Sequence, residues 1–195
     1  MGVHLCFSQK VAIVRFTKGS AVNVRDLERL FTAHGVGAAK MDATTRKLRE
    51  CGRLPVGGRG PNAPTIGFVE AATILVAVAG SAKGNEADAR VGKLESLRCT
   101  SGDYESWSLP EVLAQLLSDP ATLHGLAEVR IARIKKRATI HFKDGRVEEF
   151  LDQKPDTRVD RFDVEGILPV ALLALIASAI RDEDRDASRK TTKRK

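Results

Sequence analysis

The amino-acid sequence predicts an α+β fold whose helices lie mainly in the first half of the chain. Apolar residues recur at helical spacing through residues 20–98, and from Glu128 onward they recur at every second position. A continuous apolar run over residues 167–180 suits a buried helix, since a membrane span requires about 20 residues. Together these patterns predict a mainly helical N-terminal part, followed by C-terminal helices with a three-stranded antiparallel meander.

Capping residues and glycines set the limits of the first two predicted helices. Asn23 is a suitable N-cap for a helix over residues 24–34. Its apolar positions share one face at helical spacing, namely Leu27, Leu30 and Phe31. Gly35 ends this helix, and Asp42 can cap a second one over residues 43–51. The sequence therefore predicts two short helices joined by a glycine-containing connection.

A loop and two further helices follow. Residues 52–64 contain four glycines and three prolines, which predicts a loop. An apolar helix is expected from Thr65 to about Ala79, and an amphipathic one over residues 86–97 with Asn85 as its cap.

The C-terminal half changes from helical to strand periodicity. Ser108 and Glu111 form a capping-box pattern ahead of an apolar helix. Three strands follow. Val129 and Ile131 share one face of the first, Ala138, Ile140 and Phe142 share one face of the second, and residues 147–151 form the third. The turn at Lys143-Asp144-Gly145 predicts a hairpin, and a final helix is expected over residues 164–180.

Composition divides the chain into segments. The predicted order is an N-terminal arm or strand (1–19), a first domain (20–98), a linker (99–107), a second domain (108–181) and a disordered charged tail (182–195). Within the first segment, the run VAIVRF fits a strand and a buried helix equally well.

Positive charge is concentrated at the N-terminal end. The chain carries a net charge of +7, and residues 1–66 alone hold 11 Lys/Arg against 4 Asp/Glu. Phosphate backbones attract such a surface through counterion release, although a merely solubilising surface would have the same composition. Only 5% of the residues are aromatic, which argues against base-stacking platforms for single strands. Charge alone leaves both interpretations open.

The cysteines indicate a reducing compartment. The chain has three, Cys6, Cys51 and Cys99, an odd number at wide spacing, which argues against a disulfide framework. The N-terminus lacks the apolar segment of a signal peptide. We therefore expect a cytoplasmic protein that does not enter a membrane.

Residues 24–79 carry the strongest functional pattern: a helix, a glycine turn, a basic helix, a basic glycine-rich loop and an apolar helix. This is the order of a helix-turn-helix, in which the second helix turns an apolar face to the core and a basic face to the major groove of DNA. In that helix Leu48 and Cys51, with Thr44 or Thr45, can face inward. The candidate DNA-binding residues are Lys40, Thr44, Thr45, Arg46, Lys47, Arg49, Arg53 and Arg59.

The run TTRKLRECGRLPVGGRGPNAPTIGFVEAATILVAVAG resembles the winged helix-turn-helix of MerR-type regulators. The resemblance covers about residues 24–80, and it extends to uncharacterised regulators from phages and gene-transfer elements of alpha-proteobacteria. It implies a recognition helix followed by a wing and a further helix. Three features depart from the pattern. Arg53 stands where MerR-type proteins have an apolar residue, the aromatic wing motif is missing, and the stretch from Gly35 to Met41 is longer than a standard turn.

Patterns for catalysis are weak. The four histidines are scattered, and neither they nor the cysteines have the spacing of metal ligands. Gly57-Gly58-Arg59-Gly60 lacks the ending of a phosphate-binding loop, and no nucleophile elbow occurs. The carboxylates Glu148, Glu149 and Asp152 are interpreted as solvated charge. We therefore expect neither an enzyme nor a cofactor or metal.

The sequence favours a sequence-specific, double-stranded DNA-binding transcriptional regulator of phage or mobile-element origin. Residues 20–98 would be its helix-turn-helix domain, and residues 108–181 would form a homodimer or larger assembly through the apolar run 167–180. The alternative is a protein–protein interaction or phage accessory factor without sequence-specific DNA binding.

Overall fold

A computed structural model of the protein describes residues 22–57, 63–133, 136–152 and 165–192. The helices are α1 (Val24–Ala33), α2 (Ala38–Glu50), α3 (Phe68–Gly80), α4 (Ala87–Glu95), α5 (Leu109–Ser118), α6 (Pro120–Gly125) and α7 (Val170–Thr192). The strands are β1 (Arg98–Cys99), β2 (Leu126–Ala132), β3 (Arg137–Phe142), β4 (Val147–Leu151) and β5 (Glu165–Leu168). The chain thus has the α+β composition that its sequence predicts.

The strands form one antiparallel five-stranded sheet in the order β1-β4-β3-β2-β5. The meander of β2, β3 and β4 is present, and its hairpin turns at Gly145, whose φ of +90° favours glycine. The prediction of only three strands is wrong, because one further strand flanks the meander on each side. β1 and β5 span only two and four residues, too few to produce a recognisable period.

α3 lies at the centre of the helical layer. Every residue from Ala71 to Gly80 is buried, and α3 packs against α2, α4, α5, α7 and the sheet strands β2 and β5. Such all-round burial explains why its sequence lacks a polar face. The helix begins at Phe68, three residues later than predicted, because Thr65 pairs with Asn23 in an isolated bridge.

One hydrophobic cluster joins both halves of the chain. It includes Val22 near the start of the described residues and Ile180 in α7. Within the predicted linker 99–107, Cys99 belongs to the cluster and pairs with Phe150 of β4. The predicted first and second domains therefore share a core, which Cys99 and the partly buried Tyr104 join from the predicted linker, while the other residues of 99–107 are exposed.

The connection between α1 and α2 is shorter than the sequence suggests. α1 begins as predicted, with the Asn23 side chain accepting the N–H groups of Arg25 (2.9 Å) and Asp26 (3.2 Å). α2 begins at Ala38, however, so the helix predicted over residues 43–51 starts five residues earlier. Its N-cap is Gly37, which provides no side-chain cap, and the capping signal was therefore misassigned to Asp42.

The C-terminal helix also differs from its prediction. α7 begins at Val170, after β5 and Pro169, and its backbone continues to Thr192. The predicted disordered tail over residues 182–195 is therefore helical through Thr192. The α7 sequence contains neither glycine nor proline, so nothing in it stops the helix where the apolar run ends.

The fold itself covers most of the apolar run 167–180. Leu172, Leu173, Ile176 and Ile180 are buried, whereas Ile167 remains 55% exposed. The run therefore gives little reason to expect a second copy of the chain at this surface. In the described segments, no helix has both the length and the apolar character needed to cross a bilayer.

Candidate nucleic-acid interface

α1 and α2 are consecutive helices joined by the four residues 34–37. Gly35 has a φ of +90°, and the Val36 N–H donates to the carbonyl of Phe31 at 3.1 Å. A positive φ at this corner favours glycine, since other residues are strained there. Beneath the two helices lie the fully or almost fully buried side chains of Leu27, Leu30, Phe31, Met41 and Leu48. The turn thus has the compactness that a helix-turn-helix requires.

The glycine-rich loop begins at the end of α2 and ends beside the start of α1. The Ile66 N–H donates to the Val22 carbonyl at 2.8 Å, next to the Asn23–Thr65 bridge. Leu54 anchors the first part of the loop in the core, with 2% of its surface exposed. Arg59 lies outside the described residues.

One row of α2 faces solvent. Its exposed members follow helical spacing and are Ala39, Asp42, Arg46 and Glu50. The Arg46 side chain is 64% exposed and pairs with Asp42, which is 61% exposed. An ion pair this exposed contributes at most about 1 kcal/mol, so both side chains are available to a ligand. Asp42 did not feature among the predicted site residues because it was interpreted as a helix cap.

A shallow groove runs between α1 and α2 beside this row. Arg29 of α1 is 67% exposed on one side of the groove, and Asp42 lies on the other. The groove is lined by Arg25, Glu28, Arg29, Thr32, Ala38, Met41 and Asp42. Nothing in the sequence singles out Arg29, since α1 carries two basic and two acidic residues.

Thr44 and Thr45 cannot contact DNA in this structure, because both are fully buried. α2 packs not only on α1 but also on α3, α4 and the short 3-10 turn Gly84–Glu86, so its buried face is wider than one apolar stripe. Cys51 shows the reverse error: predicted to face inward, it is exposed. The prediction failed because the covering elements come from distant parts of the sequence.

Lys40 binds the C-terminal end of α3. Its Nζ donates to the carbonyls of Val78 (2.8 Å) and Ser81 (2.7 Å) at the C-terminal end of α3. Burial lowers the pKa of Lys40, and the charge of Arg133 lowers it further. Arg133 and Arg90 donate to the neighbouring carbonyls of Ala79 (3.2 Å) and Gly80 (3.1 Å). Cations at this position satisfy the last carbonyls of a helix and complement its dipole.

Arg53 is held by two carboxylates of α4. Its Nε donates to Asp88 and its Nη1 donates to Glu95, each at 2.5 Å. Although burial opposes the shift, the hydrogen bonds that Arg53 donates to these two carboxylates raise its pKa. The Arg53 hydrogen bond correspondingly lowers the pKa of Asp88. The residue that departs from the MerR-type pattern thus fastens the start of the loop to α4.

Replacing Arg53 with methionine is expected to destabilise the protein at pH 7 by about 1 kcal/mol, since these ion pairs are partly exposed. Because the folded state lowers the pKa of Asp88, the contribution is complete above the ordinary aspartate pKa of about 3.9 and is lost as the pH falls through the lower folded value. Urea unfolding of both proteins at pH 7 and pH 3 measures the difference. Arg29→Met, which removes a more exposed pair, is the control. An Arg53→Met effect that is equally large at both pH values would contradict the assignment.

Of the other two predicted DNA-contacting residues, Lys47 lies toward solvent and Arg49 contacts α1. Lys47 is partly exposed and lies 3.8 Å from Glu50. Arg49 donates to Glu28 of α1 at 3.3 Å, with 35% of its side chain exposed. The described helices α1 and α2 together hold six Lys/Arg and four Asp/Glu. Much of the basic excess of residues 1–66 therefore belongs to the first 21 residues and the loop.

Away from this surface, the structure corrects the interpretation of Glu148 as solvated. Glu148 is fully buried on the same face of β4 as Phe150, where it accepts the Cys99 thiol at 3.2 Å and lies 3.9 Å from Arg146. Burial raises the pKa of Cys99 to about 11, and Glu148 contributes to the increase. This thiol is consequently a poor nucleophile. In the described part of the chain, no group of three or more His, Cys, Asp or Glu could hold a metal ion.

Comparison with protein-family models, with curated proteins and with solved structures gives no match for this chain. Its candidate site is therefore defined by geometry and sequence pattern alone.

Proposed function

We propose that this protein is a cytoplasmic, sequence-specific double-stranded DNA-binding transcriptional regulator, in which α2 is the recognition helix. The observation that carries the proposal is the helix-turn-helix with a four-residue turn, whose second helix exposes Asp42 and Arg46 in one row. Neither side chain is needed for the core. The resemblance to MerR-type regulators and to regulators of phages and gene-transfer elements is in keeping with this function and with a mobile-element origin. The two described free cysteines, Cys51 and Cys99, accord with a reducing compartment.

The exposed row suits a major groove chemically. An arginine can donate two hydrogen bonds to guanine, and an aspartate can accept one from cytosine. Ala38 and Ala39 are exposed at the start of α2, and their small side chains let this end of the helix approach base edges closely. Arg29 on α1 is 67% exposed, so its ion pair with Asp26 still leaves it able to contact the phosphate backbone. These few residues replace most of the larger set that the sequence suggested.

A second candidate is a protein partner, because the exposed row of α2 alternates in charge. Asp42, Arg46 and Glu50 together carry a net negative charge, which phosphate repels. Sequence-specific binding would therefore depend on hydrogen bonds to bases together with cations of α1, the loop and the first residues. A partner with complementary alternating charges would fit the same row without DNA.

The full chain, incubated with a random pool of duplexes, should select a defined site. Arg46→Ala is then expected to lose about 1–3 kcal/mol of binding to that site and to relax preference at one base pair, since a bidentate guanine contact has this value. Titration of wild type and variant on every single-base change of the site measures both effects. Arg137→Ala is the matched control, because Arg137 is similarly exposed and ion-paired, but on the sheet.

Two outcomes separate the candidates. Failure to enrich any sequence, with the protein folded, would favour the protein-interaction function. Enrichment of a sequence that binds Arg46→Ala as tightly as wild type would support DNA binding but would show that α2 does not contact the bases.

We propose in addition that the regulator binds as a homodimer, because two-fold symmetry matches palindromic sites. The selected sequence would then be a palindrome.

A further inference from the structure

Glu28 of α1 makes two contacts with α2. Its Oε1 accepts a hydrogen bond from the Thr45 hydroxyl at 2.5 Å and another from the Arg49 guanidinium at 3.3 Å. Thr45 and Arg49 lie one turn apart on α2, so a single carboxylate oxygen holds two successive turns of that helix. The Glu28 side chain is 23% exposed, against 61% for Asp42 of the exposed row.

The two contacts differ in kind. The Thr45 contact is buried, since Thr45 has no exposed surface, and it fixes the rotation of α2 against α1. The Arg49 contact is half-exposed and neutralises a cation that would otherwise be available to phosphate. Arg46, one turn away, is paired only with the exposed Asp42 among the described residues. The two arginines that the sequence treats alike are therefore held very differently.

We propose that Glu28 is a specificity-determining positioning residue of the recognition helix. Through Thr45 it sets the direction in which Asp42 and Arg46 point, and through Arg49 it withholds a positive charge from sequence-independent phosphate binding. Both effects increase the ratio of specific to non-specific affinity. This inference rests on the proposed DNA-binding function.

Three substitutions separate the two contacts. Glu28→Gln keeps a side-chain oxygen for the Thr45 hydroxyl but removes the charge that holds Arg49. Thr45→Val removes the hydroxyl at nearly constant volume and leaves the ion pair with Arg49. Glu28→Gln combined with Arg49→Gln removes both charges. Glu149→Gln is the control for a general loss of negative charge, because Glu149 is ion-paired with Arg137 on the sheet, outside α1 and α2.

The measurements are dissociation constants on the selected duplex and on a scrambled duplex, at several salt concentrations. Glu28→Gln is expected to bind scrambled DNA about fivefold more tightly at 100 mM salt and to steepen the salt dependence by about one unit, as one additional phosphate contact would. Combination with Arg49→Gln should cancel both changes. Thr45→Val should weaken binding to the selected duplex about tenfold and leave binding to scrambled DNA unchanged. The substitution changes the direction of the exposed α2 side chains without changing the charge.

Thermal unfolding of each variant distinguishes these effects from loss of the fold, which would weaken binding to both duplexes together. The inference is overturned if Glu28→Gln changes the salt dependence no more than Glu149→Gln does, or by the same amount with and without Arg49. It is also overturned if Thr45→Val weakens both duplexes equally while remaining folded. If the wild-type protein binds no duplex, the proposed function and this inference are both overturned. If the wild-type protein binds the selected duplex but the effect of Glu28→Gln does not depend on Arg49, this inference alone is overturned.

Discussion

Gly166→Ala is expected to destabilise the protein by about 3 kcal/mol, which for a chain of this size lowers the melting temperature by about 10 °C. A Cβ atom at position 166 of β5 would overlap the carbonyl oxygen of Ala79 and would lie 2.8 Å from its carbonyl carbon. Both are backbone atoms of α3, so no side-chain rotation relieves the overlap. β5 would have to separate from α3 or from β2. Thermal and urea unfolding of the two proteins measure the loss.

Gly125→Ala is the matched control for this substitution. Gly125 immediately precedes β2, the strand that pairs with β5, and a Cβ atom there would meet nothing within 4 Å. Its replacement should change stability by no more than about 0.5 kcal/mol. If Gly166→Ala proves as stable as Gly125→Ala, then β5 does not pack against the end of α3 as described.

The elements that the sequence predicted best are those that carry their own local signal. Asn23 caps α1 because its side chain accepts two N–H groups within the next three residues. Such a cap depends only on neighbouring residues, so it can be recognised from the sequence. The hairpin of β3 and β4 was recognisable for the same reason, since Asp144 and Gly145 are turn residues between alternating strands. The Ser108–Glu111 capping box also forms, with the Ser108 N–H donating to Glu111 at 2.7 Å.

The elements that were missed lack such a signal. α2 begins after Gly37, which supplies no side-chain cap, so the sequence points to Asp42 as its start although Asp42 lies in the second turn. β5 is short and is followed directly by proline and an apolar helix, so its residues were assigned to that helix. Its place in the sheet depends on the contact of Gly166 with α3, which is a tertiary feature. Tertiary packing of this kind overrides local propensity.

For the candidate site, the sequence predicted two adjacent helices but not the contacts that each side chain makes. Arg46 and Arg53 are indistinguishable by type, yet Arg46 lies in solvent and Arg53 is fastened to Asp88 and Glu95. Lys40 was assigned to DNA because it is basic, while its partners at the end of α3 lie about forty residues further along the chain. Which cations remain available to a ligand is decided by partners that only the fold brings near.

Gly84→Ala is expected to affect both the fold and the position of α2, the proposed recognition helix. A Cβ atom at position 84 would lie 2.6 Å from the Ala43 Cβ, 2.7 Å from the Lys40 carbonyl oxygen and 2.8 Å from the Thr44 nitrogen. The 3-10 turn Gly84–Glu86 therefore lies directly on the backbone of α2, and an added methyl group must push the two apart. We expect a loss of about 2 kcal/mol in unfolding free energy, measured by urea unfolding.

Because α2 is the element displaced, a folded Gly84→Ala protein should also lose affinity for its selected duplex by about tenfold, since misplaced side chains no longer meet their base edges. Gly92→Ala in α4 is the control: its glycine is exposed in mid-helix, and a Cβ atom there would meet only the flexible end of Arg53 at 3.4 Å. That substitution should stabilise the protein by up to about 1 kcal/mol, because alanine favours the helix, and leave DNA affinity unchanged. Should Gly84→Ala lose stability without losing affinity for the selected duplex, α2 would not be the helix that reads the site, and the contact surface would have to lie in the loop or elsewhere on the chain.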